Sequence, residues 1–193
     1  MGITPEQNKA AGEFVELIAA KIGDGRSIHS ETAIAACARL SGSLLLRSFN
    51  FQLEALEPGT ALLSEEANQK GPELINTMLG FLSAVGVAAD QLSVNQQAGR
   101  GEAPRLDVGA SLALLQSDAL KIGERYGLQL DQSAQAIALA TGFIVKECIP
   151  QIGAGVALNV AMFGFVEGSK TIPPKLGNVP VEKVNAKPWY KFW

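Results

Sequence analysis

Apolar positions recur at three- and four-residue spacings along this chain, the spacing that gathers side chains on one face of a helix. Ala11, Phe14, Ile18 and Ile22 form the first such stripe, with Glu13 and Glu16 on the other face. Thr4-Pro5-Glu6-Gln7 supplies its start: a Thr cap, a Pro at the first position and a Gln three residues after the cap. Gly23-Asp24-Gly25 supplies its stop. A second helix is expected from Ser27 to Phe49, with Ile34, Cys37, Leu40, Leu44 and Leu45 on its apolar face and Ala38 and Gly42 as a small-residue pair. Pro58-Gly59 reads as a turn, followed by a polar helix over 60–70. Gly71-Pro72 is expected to break that helix and start another, whose stripe is Leu74, Ile75, Met78, Leu79, Leu82 and Val85. Asp107 is placed to cap a helix that runs to Tyr126 and ends at Gly127, and Asp131 to cap the next.

That last helix enters the most apolar part of the chain, 137–166, where Lys146 and Glu147 are the only charges. Pro150 is expected to divide it, one helix stopping near 146–149 and another beginning at the proline. Each half is shorter than the roughly 20 apolar residues that span a bilayer, so the stretch reads as a core hairpin. Ala136, Ala138, Ala140 and Gly142 in one half, and Gly153, Gly155, Ala157, Ala161 and Gly164 in the other, leave low ridges that let backbones approach closely. The expected fold is therefore a single all-α domain over 1–167, a bundle of about six or seven helices around this hairpin. The loop 95–105, with two Gly and one Pro, separates its two helical halves.

Composition changes from about Gly168. Pro173, Pro174, Pro180 and Pro188 favour extended backbone, and both tryptophans fall in the last five residues. Trp189, Tyr190, Phe192 and Trp193 are thus candidate anchors for a tail, 168–193, that packs on its own domain or on a partner subunit; insertion at a membrane interface is the third destination. Residues 1–167 carry 11 basic and 18 acidic side chains, whereas 168–193 carry five lysines and one glutamate. An acidic body argues against nucleic acid as a partner.

Few residues suggest chemistry. His29, the only histidine, stands near Glu31 as a possible acid–base pair. Arg39 and Arg47, eight apart, share a helical face on which they can clamp an anion or form salt bridges. Lys146 beside Glu147 is a third polar candidate. Cys37 and Cys148 sit among apolar residues and read as buried thiols of a reducing, cytoplasmic setting. With one histidine and no Glu-x-x-His, no metal is expected, and no cofactor either. Gly153-Ala154-Gly155 lacks the third Gly of a dinucleotide fingerprint, and 164–171 lacks the spacing of a phosphate loop. The N-terminal residues have neither the basic nor the apolar region of a secretory signal. The leading expectation is a non-enzymatic helical interaction or scaffold protein that self-associates. The alternatives are a binder of an apolar or lipid-like small molecule between Gly/Ala-rich helices, and an enzyme with a dispersed site drawn from His29, Glu31, Arg39, Arg47 or Lys146.

Overall fold

Ser30 to Leu46 is an unbroken run of buried residues, and it forms the axis of the molecule. The computed structural model describes residues 2–23, 27–92 and 101–176. Among them are six α-helices: α1 (Pro5–Ile22), α2 (Ser30–Arg47), α3 (Glu65–Ala84), α4 (Val108–Arg125), α5 (Leu130–Ile152) and α6 (Ala154–Lys170). None of these is long and apolar enough to cross a membrane.

The all-α expectation holds, but the axis is α2, with α5 and α6 packed on either side of it. α6 runs parallel to α2, since Gly164 faces Ala38 and Gly168 faces Arg39. α5 runs antiparallel: Ser41 Oγ donates to the Ala134 carbonyl at 2.7 Å, and Ser30 Oγ to Gln151 Oε1 at 2.8 Å. α1 is tied to α5 through Gln7 Nε2, which donates to the Gln132 carbonyl at 3.0 Å. It is tied to α4 through the Lys21–Asp118 ion pair at 3.1 Å. α3 lies on α5, with Met78 and Phe81 against Gly142. Ile34, Leu40 and Leu44 are completely buried, each stabilising the fold by roughly 1.5–3 kcal/mol.

Three glycines set the α2–α6 distance. A Cβ on Gly42 would stand 2.5 Å from the Phe165 carbonyl oxygen, and one on Gly164 would stand 2.7 Å from Ala38 Cβ. A Cβ on Gly168 would collide with the Arg39 carbonyl. Backbone meets backbone here. The small-residue reading is right, but its main partner for α6 is α2.

The first helix starts as expected, with Thr4 and Gln7 in a reciprocal capping box. Other local expectations are corrected. Residues 60–63 are extended, and the polar helix starts only after the Ser64 cap. Gly71-Pro72 does not break α3, and Pro150 does not end α5, which continues to Ile152. Both prolines are exposed, as are Asn68 and Lys146, the residues whose carbonyls lose an amide partner, so each helix passes its proline on a solvent-facing side. The break comes at Gly153, whose φ of 79° is left-handed. α2 is capped by His29, two residues after Ser27, and α5 by Gln129, whose amide donates to Gln132 Oε1 at 2.9 Å; Asp131 lies inside its first turn.

After α6 the chain turns extended and pairs with the segment before α3. Ala61 and Thr171 form an antiparallel bridge, flanked by Gly59 N–H to Ile172 O and Ile172 N–H to Thr60 O, both 2.8 Å. Ile172 is buried with Leu46 and Leu53 in a small second cluster. Trp189, Tyr190, Phe192 and Trp193, and part of the 95–105 loop, lie outside the described residues.

Gly168→Ala should destabilise the fold by about 3 kcal/mol or more, because the new methyl meets rigid backbone. A urea unfolding midpoint unchanged by the substitution would contradict this packing.

Candidate functional site

The polar candidates fall at the two ends and the middle of α2. At its start, His29 caps the helix: Nδ1 accepts from the Thr32 amide at 3.3 Å and lies 2.8 Å from Thr32 Oγ1. Nδ1 being the acceptor, the Nε2 proton points to Glu102 Oε2 at 3.0 Å, with Glu31 Oε2 at 3.6 Å. Glu31 is buried, and its Oε1 accepts the Glu102 amide at 3.1 Å, while Thr32 Oγ1 accepts the Arg105 amide at 2.9 Å. The cluster therefore fastens the 101–106 segment over the helix start. Gly101 makes that approach possible with a φ of 66°; a Cβ there would stand 2.5 Å from Val156 Cγ1.

His29 and Glu31 do come together, as their spacing suggests, and Glu102 joins them. No signal in the sequence pointed to Glu102, because the contact spans 73 positions. The hydroxyl within reach of the imidazole, Thr32 Oγ1, is buried. Ser30 Oγ donates to Gln151, and Thr32 Oγ1 is held between His29 and Arg105. Burial pushes the Cys148 thiol up, with Glu31 and Glu147 acting in the same direction and a hydrogen bond with Ser30 opposing. Cys37 is pushed up to about 12 by burial, against the opposing hydrogen bond from Thr141. Both cysteines are protonated thiols at neutral pH.

Arg39 and Arg47 lie on one helix but do not form an open clamp. Arg39 is 6% exposed; its Nε donates to Glu167 Oε2 at 2.8 Å, and its Nη1 to the Leu106 carbonyl at 2.6 Å. It joins α2, α6 and the entry to α4. Arg47 Nη2 donates to Gln116 Oε1 at 3.0 Å and to the Pro174 carbonyl at 2.9 Å. Burial lowers its pKa, opposed by the charge of Glu54. Lys146 pairs with Glu147 at 3.1 Å at the surface. Among the described residues no set of three His, Cys, Asp or Glu side chains is arranged to hold a metal.

Open space lies elsewhere. A groove of about 290 Å³ runs between α1 and α5 and is closed at one side by Phe81 of α3. Ala11, Gly12 and Val15 form one wall and Leu139, Ala140 and Phe143 the other, with Asn8 and Glu16 at the rim. The small residues create it, since a Cβ on Gly12 would meet nothing within 4 Å. Leu139 and Phe143, one turn apart on α5, are only partly buried although α5 is otherwise a core helix. A larger groove, about 480 Å³, sits at the end of α2 against Lys70, Glu73 and Asp131. Its wall is charged and polar, with Lys70 and Glu73 paired at 3.0 Å. Of these two grooves, the one between α1 and α5 is the more apolar, with Asn8 and Glu16 as its polar residues. Sequence reading missed it; the signal was the Ala11-Gly12 pair, which leaves α1 short of volume beside Val15.

No family model, curated protein or solved structure matches this chain.

Two outcomes follow from the site. Arg39→Ala should cost about 2 kcal/mol, below the ~3–5 kcal/mol of a fully buried pair because Glu167 is 38% exposed, and Arg39→Lys should cost less; equal unfolding midpoints would refute the bridge. Neither cysteine should react with iodoacetamide in the folded protein at mildly alkaline pH, and both should react in denaturant, as read by intact mass.

Proposed function

We propose that this protein is a non-enzymatic helical interaction protein, whose α1–α5 groove docks an apolar segment and through which it self-associates. The observation that supports it is the groove itself: open, about 290 Å³, and walled by Val15, Phe81, Leu139 and Phe143 over small residues. An open apolar trough between two helices accepts a helix or a cluster of apolar side chains from a partner. The titratable groups point the same way, since His29, Glu31, Arg39 and Arg47 are each held by structural contacts. A small apolar ligand is the second reading, favoured by a volume close to the lower end of the ~300–1,000 Å³ range of ligand sites.

Gly12→Arg provides the test. It fills the groove with a cation in space that is empty, and it places a guanidinium one turn before Glu16, so the helix should gain about 1 kcal/mol from losing its glycine. Sedimentation velocity over a concentration series should show at least tenfold weaker self-association of a normally folded protein. Unchanged association, or a wild-type chain that stays monomeric throughout, would remove the proposal. Native mass spectrometry separates the second reading, through a non-protein mass that the wild-type chain retains and Gly12→Arg loses.

A further inference from the structure

We infer that the chain's own aromatic segment, 187–193, occupies the α1–α5 groove within the same molecule and competes there with partners. This inference rests on the docking reading of that groove. Lys187-Pro188-Trp189-Tyr190-Lys191-Phe192-Trp193 combines four aromatic rings with two lysines. Rings suit a trough walled by Phe81, Phe143, Leu139 and Val15, and a lysine suits Glu16 at its rim. Trp189 and Trp193 are four residues apart, so an extended and a helical backbone alike put them on one side. The charge balance agrees: residues 1–167 hold 11 basic and 18 acidic side chains, and 168–193 hold five lysines and one glutamate.

The tether is long enough. Pro174 is held by Arg47 and Gln116 at the end of α2, where Arg47 and Leu130 line one groove. From Leu130 to Leu139 is about 13 Å along α5, and two helix spacings across the bundle add about 20 Å sideways, a straight-line separation of about 24 Å. Residues 177–186 cover up to about 33 Å when extended. A segment tethered at this distance has an effective concentration in the millimolar range, which favours docking on its own chain over docking on a second copy.

Both tryptophans of the protein lie in the segment, so tryptophan emission, excited at wavelengths that Tyr126 does not absorb, reports on it alone. The full chain, measured far below any self-association, should emit well to the blue of free tryptophan, and Gly12→Arg should shift that emission to the red. Deleting 187–193 should tighten self-association at least tenfold, as expected if the segment closes the groove about nine-tenths of the time. Solvent-like emission, emission indifferent to Gly12→Arg, or a blue shift that grows with protein concentration would each overturn the inference. The docking reading fails separately: self-association of the truncated chain would then be unaltered by Gly12→Arg.

Discussion

The contact on which the rest of this structure depends is the approach of α6 to α2, backbone against backbone, at Gly42, Gly164 and Gly168. Without side chains between them the two helices bring their main-chain atoms into dispersion contact, and Phe165 and Leu158 fill the flanking space. The same proximity carries Glu167 to Arg39 and fixes the end of α6, from which the extended segment 171–174 reaches its pairing with 59–62. A wider α2–α6 spacing would loosen all three.

A helix buried on every side normally holds only apolar residues, yet α2 contains Ser30, Glu31, Thr32, Arg39, Ser41 and Ser43. Nearly all of them are satisfied by a different neighbour: Gln151 and Ala134 on α5, Glu167 on α6, and the 101–106 segment before α4. These bonds add less stability than the apolar packing, but each one is met only when its particular neighbour is in place and in register. Ser43 Oγ is the exception among these six, buried without a partner among the described residues at a cost of about 1–3 kcal/mol, and Arg47 Nε at the end of the helix is likewise unpaired.

Fold class, helix number and two helix starts, at Thr4 and Asp107, were legible because they depend on local periodicity and capping. What local reading could not supply was the surroundings of each helix. α2 looks amphipathic because its arginines, serines and Glu31 are polar in isolation, and their partners lie 67 to 128 positions away. Pro72 and Pro150 looked like breaks for the same reason: whether a freed carbonyl is costly depends on its exposure, which the helix alone does not reveal. Of the candidate site, His29 with Glu31 was visible by spacing. Glu102 and the α1–α5 groove were not, since one is a contact across the chain and the other is a volume left by absent side chains.

The central position of α2 also constrains how the molecule is made. Its walls arrive late: Glu167 stands 128 residues after Arg39, and the backbone of Phe165, Gly168 and Ser169 that receives Gly42 belongs to the last helix. During synthesis α2 must wait, with Leu40, Leu44 and Ile34 uncovered, until α5 and α6 have been made. Such non-local closure slows folding, because the entropy of joining distant segments is lost before their contacts form. A nascent chain halted at the start of α5 would display the helix that is most completely buried in the folded protein with two of its walls missing, so its apolar side chains stay uncovered until α6 is complete.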